Sequence, residues 1–212
     1  MDVKSAAGPS SLQHVADQLP AYSEQAPIVK PLYTCMTLNK TDTLRLINCP
    51  PPTVSAIRDV ILARWPKGLQ KEKEYHGALE FQLRGLPWVD QGSNSVPARQ
   101  LMLSILATFY QLGWTLVAST DITKKQEDKD SLFFRTGHSL PPKAQFFAIS
   151  FNEGDKLRLI EAPAEIIKAV QGLLVDKTQK AEWKVDNVVY QFKVWVSSTR
   201  SLASLSHARH KS

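Results

Sequence analysis

The sequence predicts an α+β fold: a mostly antiparallel sheet of about eight strands with three helices on one face, built from a duplicated ββαβ unit. Three observations predict it. The run Tyr33–Pro50 (YTCMTLNKTDTLRLINCP) returns as Phe146–Pro163 (FFAISFNEGDKLRLIEAP) at a constant offset of 113, so that Asn39, Asp42, Leu44, Arg45, Leu46, Ile47 and Pro50 recur as Asn152, Asp155, Leu157, Arg158, Leu159, Ile160 and Pro163. Short runs alternate apolar and polar residues, the pattern of half-buried strands. Three longer segments carry apolar stripes at helical spacing.

Taken in order, residues 1–30 mix Gly8, Pro9, Pro20 and Pro27 with small polar residues, the composition of a disordered leader. Residues 31–197 form a single α+β domain: repeat 1 over about 33–84, an insert over 86–143, and repeat 2 over about 146–195. Within each repeat a turn (Asn39–Thr41 or Asn152–Gly154) separates two strands, the second being Asp42–Asn48 or Asp155–Glu161. Pro50–Pro52 and Pro163 then stop the strand and open a helix, because proline is tolerated in a first helical turn. Val54, Ile57, Val60, Ile61 and Trp65 make one stripe; Ile167, Val170, Leu173 and Leu174 make the other. Each unit closes on a strand, Leu79, Phe81 and Leu83 in the first and Val188, Tyr190, Phe192 and Val194 in the second, with a drift of four residues between copies. In the insert, Ser95 and Pro97 open a helix striped by Leu101, Ile105 and Phe109, and Gly113 ends it. Trp114–Ile122 and Ser131–Arg135 read as strands joined by the charged loop KKQEDKD. Residues 198–212 are a basic, Ser-rich tail.

Composition narrows the function classes. With 43% hydrophobic and 22% charged residues the chain is ordinary globular protein, and no apolar run reaches the roughly 18 residues of a membrane span. The net charge of +6 divides into −2 for residues 1–27, +3 for the tail and about +5 between them. That excess permits anionic partners without demanding them. A turn centred on Lys40 sets Cys35 opposite Arg45, out of reach of Cys49, so no disulfide is expected. Cytoplasm or nucleus follows as the expected compartment.

Signatures of nucleotide, dinucleotide and acyl-transfer sites are missing, and the five histidines show no metal-ligand spacing. No cofactor or metal is expected. Ser119–Thr120–Asp121, followed by Lys124–Lys125 and Asp128–Lys129–Asp130, gathers hydroxyls, carboxylates and amines at a strand end. It is the candidate enzyme site, against the competing reading of a solvated turn.

Strand parity supplies a second candidate. If helices cover the face of Leu44, Leu46, Leu157 and Leu159, then Arg45 and Arg158 point the other way, with Arg84, Lys193 and Trp195 alongside. Such a face is a platform for phosphate, single-stranded nucleic acid or peptide, or a wetted face of cross-strand pairs. Trp88, in the loop GLPW, is the tryptophan expected to be most exposed, with folding back onto the core as the competing reading, whereas Trp65 and Trp114 read as core. Leu19–Pro20–Ala21–Tyr22 in the leader resembles the proline–tyrosine ligands of WW domains.

The strings GLPW, ARQLM, GW, STDITKK and KDSLFFR, over about Asp42–Phe151, resemble a eukaryotic family with no established activity. The resemblance implies no catalytic residues. In architecture alone the pattern is also similar to cap-binding translation initiation factors, but the element order departs from theirs and no tryptophan pair with a following glutamate can be matched. The sequence therefore favours a non-enzymatic intracellular adaptor or protein-interaction module. Nucleotide or single-stranded nucleic-acid binding through the basic sheet face is the alternative, and an enzyme near Ser119–Asp121 the third reading.

Overall fold

The computed structural model describes residues 30–89, 95–121, 128–137, 139–185 and 187–195. The leader motif Leu19–Pro20–Tyr22, the basic tail and the loop after Asp121 lie outside the described residues. The elements run β1 (Tyr33–Asn39), β2 (Thr43–Ile47), α1 (Pro51–Arg64), β3 (Leu69–Tyr75), β4 (Ala78–Leu83), α2 (Ser95–Gln111), β5 (Trp114–Thr120), β6 (Asp128–Thr136), β7 (Ala148–Asn152), β8 (Lys156–Ile160), α3 (Ala164–Leu173), β9 (Thr178–Lys184) and β10 (Val189–Val194). The fold is α+β, as expected, with every strand pair antiparallel.

Two features refine the sequence expectation. The strands form two sheets, a point the sequence left open, ordered β3-β4-β2-β1-β6-β5 and β7-β8-β10-β9. There are ten described strands rather than about eight, so the repeated unit is ββαββ. The additions, β3 (LQKEKEY) and β9 (TQKAEWK), are edge strands almost wholly exposed. Their charges hide the apolar alternation on which strand recognition relies, while protecting an edge from stray pairing.

Pairing exposes the duplication residue by residue. Leu44 lies opposite Phe81, and Leu157 opposite Phe192. The first strands thus keep the offset of 113, whereas the closing strands stand at 111. The drift is two residues there, not four. Four are lost by the ends of the helices, Arg64 against Leu173, and the longer β9–β10 turn restores two. Asn48 and Glu161 both adopt positive φ, at 53° and 55°, so each copy leaves its second strand through the same left-handed residue.

The main core lies between the larger sheet and helices α1 and α2. Met36, Leu44, Leu46, Phe81, Leu83 and Phe134 from the sheet meet Ile57 and Ile61 of α1 and Leu101, Ile105 and Phe109 of α2. Trp65 and Trp114 are buried in it, as expected, and donate indole N–H groups to the Arg84 carbonyl (2.9 Å) and Thr53 Oγ1 (3.1 Å). The smaller sheet has its own core, where Ile167 of α3 packs on Leu159, Tyr190 and Phe192. Helix α2 also touches the other face of that sheet: Val96 packs with Ile160 and Val189, and Gln100 Nε2 donates to Glu161 Oε1 at 2.8 Å.

Candidate functional site

Parity works as expected for the arginines, which point away from their helices, but they stand on different sheets. Arg45 on β2 donates from Nε to Glu80 Oε2 (2.5 Å) and from Nη1 to Asn39 Oδ1 (3.3 Å), and its guanidinium lies 4.3 Å from the Tyr75 ring centroid. Lys73 Nζ reaches the other Glu80 oxygen at 3.0 Å. Burial of Glu80 would raise its pKa. The hydrogen bonds from Arg45 and Lys73 outweigh that and hold the carboxyl below its usual value. In repeat 2, Gln191 takes the place of Glu80, and Arg158 Nε donates to Gln191 Oε1 at 2.8 Å. The same cross-strand pair is therefore ionic in one copy and has a neutral acceptor in the other.

Arg84 and Trp195 prove to be equivalent residues. Each donates its backbone N–H just past a closing strand, to Gly68 and to Lys177 respectively. Arg84 is exposed and Trp195 is 69% exposed. Lys193 Nζ stands 3.9 Å from Asp155. Trp88, expected to be the most exposed tryptophan, is half-buried instead: it packs on the main core and donates Nε1 to the Thr43 carbonyl at 3.0 Å. Ser119, Thr120 and Asp121 are exposed at the end of edge strand β5. Cys35 faces Ile47 rather than Arg45, because the turn centres on Thr41, and both thiols are free. Burial pushes both thiols up. Among the described residues no group of three or more His, Cys, Asp or Glu is placed to hold a metal, and no helix is long and apolar enough to cross a membrane.

The duplication itself locates a site that inspection of single residues did not. In repeat 1 the outer edge of β1 is covered by β6, with Met36 opposite Leu132 and Thr37 opposite Ser131. In repeat 2 the equivalent strand, β7, ends its sheet and, among the described residues, pairs with β8 alone. Met36 is 0% exposed, while its counterpart Ile149 is 54% exposed. Leu38 packs against the core, while its counterpart Phe151 is 81% exposed. Strand β7 (AISFN) also lacks the lysines that guard β3 and β9.

A groove of about 550 Å³ opens beside the start of β7. Phe147, Ala148 and Ile149 form one wall, Leu38, Pro87 and Trp88 contribute another, and Ser95 and Arg99 line it from α2. Ser95 sits at the first turn of α2, where a helix presents N–H groups without intrahelical partners. Arg99 is half-buried, and its pKa is lowered first by desolvation and then by the charge of Arg158. The sequence signal for this site was present in the offset of 113, since the insert supplies a covering strand to one copy only.

A profile of an uncharacterised domain family matches residues 32–135 and 145–197. The chain belongs to that family. The first matched segment ends at Arg135 in β6, and the second takes up just before β7, so the family domain comprises repeat 1 with its insert and then repeat 2. No curated protein and no solved structure matches the chain.

Proposed function

We propose that this domain is a non-enzymatic protein-interaction module, an adaptor that takes an extended segment of a partner protein as an added antiparallel strand on β7. The observation that carries the reading is the exposure of Ile149 and Phe151 on a sheet edge, where the equivalent residues of repeat 1 pack in or against the main core on a strand flanked by β6. Covering each contributes about 1.5–3 kcal/mol, and main-chain pairing along the edge adds affinity, as in other strand-addition interfaces. The β1–β6 pair supplies the partner's chemistry: a run with apolar side chains at alternate positions, like Leu132 and Phe134. The groove walls bound the first half of the edge, which favours one strand over a second sheet. Two free thiols support a reducing compartment, cytoplasm or nucleus.

The basic-platform reading has less support. Arg45, Arg158, Lys156, Lys180 and Lys184 all have side-chain partners, and the basic residues of repeat 1 and repeat 2 belong to different sheets.

The test is to purify partners of the full chain and of an Ile149→Lys, Phe151→Lys variant, which gives β7 the protection that β3 and β9 already have. A purified partner should slow amide exchange over Ala148–Asn152 and lose at least tenfold in affinity for the variant. Equal affinity for both, or protection elsewhere, overturns the reading. A concentration-dependent dimer abolished by the variant would replace the partner strand with a second copy of this chain.

A further inference from the structure

We propose that the α2 end of the groove is an anion subsite, in which Ser95 and Arg99 receive a carboxylate at the C-terminal end of the segment docked on β7. The inference rests on the strand-docking reading and adds the chemistry that the segment must carry.

Ser95 is 1% exposed and lines the groove, yet its Oγ is the buried side-chain polar atom among the described residues that has no hydrogen-bond partner. A buried hydroxyl left without a partner is destabilising, and an incoming acceptor removes the penalty. Arg99 follows four residues later on the same side of the helix. Its Nη1 donates to the Ser95 carbonyl at 3.2 Å, and no carboxylate pairs with it among the described residues. Its charged neighbour is Arg158, whose Nε is held by Gln191. Two neighbouring cations, one of them in the first turns of a 17-residue helix at its positive end, favour an anion there. Asp130 lines the groove too, from β6, so it repels an anion from its own position.

Strand direction decides which end of the ligand arrives. On β1, Phe133 of β6 lies opposite Cys35 and Phe134 opposite Thr34. Carried to repeat 2 by the offset of 113, these positions fall at Ala148 and Phe147, both on the groove wall. The C-terminal side of an antiparallel segment therefore enters the groove beside Arg99.

Two arms test this on the full chain. In the first, sodium acetate at low ionic strength should shift the Arg99 guanidinium nitrogen resonances saturably, while exposed Arg84 drifts without saturation. Ser95→Ala should weaken the response at least threefold. In the second, the synthetic peptide DSLFF, copied from Asp130–Phe134, should bind about tenfold more tightly as its free acid than as its C-terminal amide, and Arg99→Gln should erase the difference. If acid and amide protect β7 equally, the docking reading stands and the subsite is overturned. If acetate saturates Arg99 but neither peptide protects β7, the anion site stands and the docking reading fails. No saturable response at Arg99 overturns the subsite.

Discussion

Repeat 1 and repeat 2 begin from the same strand–turn–strand–helix frame and finish in different environments. In repeat 1 the insert completes the sheet with β6 and β5 and lays α2 beside α1, so the apolar face of β1 is closed. In repeat 2 no strand among the described residues flanks the outer edge of β7, α3 has 10 residues against the 14 of α1, and the core on the α3 face reduces to a small cluster around Ile167 and Phe192. One copy is thus the structural body, and the other is that body with a sheet edge left open. The difference teaches that a duplicated unit supplies its own control: whatever repeat 1 buries and repeat 2 exposes marks a surface on which something is missing.

The largest test of the comparison is in the two cores. Phe81 and Phe192 are equivalent and both 0% exposed, but Phe81 packs between the larger sheet and two helices. Phe81→Ala should cost about 4–5 kcal/mol and lower the stability of the whole domain, as expected for a large core truncation that cannot collapse. Phe192→Ala should cost about 3 kcal/mol, with faster amide exchange concentrated in β7–β10. Urea denaturation with exchange measurements checks both. If the two variants lose equal stability and loosen both sheets alike, the division into body and open copy is wrong.

The next test uses the pair that the copies share in different chemistry. Glu80→Gln gives repeat 1 the neutral acceptor that repeat 2 already has, and should cost about 1.5–3 kcal/mol at pH 7, the range for hydrogen bonds to charged groups. Because the folded carboxyl titrates below its unfolded value, its contribution is present above the unfolded pKa of about 4.5 and is lost as pH falls through the lower folded value. The stability gap between parent and variant should therefore narrow on acidification below about pH 4.5. Glu72 is held low by Arg58 as well, so the gap between the two proteins is the diagnostic quantity, not the acid slope of either alone. A gap that persists to pH 2 removes the charged pair as its cause.

How much of this was legible in the sequence follows from which forces leave periodic marks. The helices, the hairpin frame and the outward arginines were readable because burial imposes periods of 3.6 and 2. The edge strands β3 and β9 were not, since Lys71, Glu72, Lys73 and Glu74 have no apolar face to reveal. Trp88 was left between exposure and folding back, because nothing local says that a loop indole will find the Thr43 carbonyl. The groove needed tertiary information: Ser95 reads as a helix start and Arg99 as a surface cation until α2 is seen between two sheets. The open edge lay between these cases, since the offset pairs Ile149 with Met36 but only the strand order says which of them is covered.

The smallest expected effect on stability is the sharpest on function. Leu38→Ser removes an apolar side chain packed against the main core and should cost about 1–2 kcal/mol. Phe151→Ser, at the equivalent residue, should change the stability of the free domain by no more than about 0.5 kcal/mol, because the ring makes little contact to lose. If Phe151 is held in place only by a bound strand, the same substitution should weaken a partner segment at least tenfold while leaving the urea midpoint unchanged. A Phe151→Ser variant as destabilised as Leu38→Ser would mean that the ring is already packed in the free protein, and β7 would then be a closed edge rather than a waiting one.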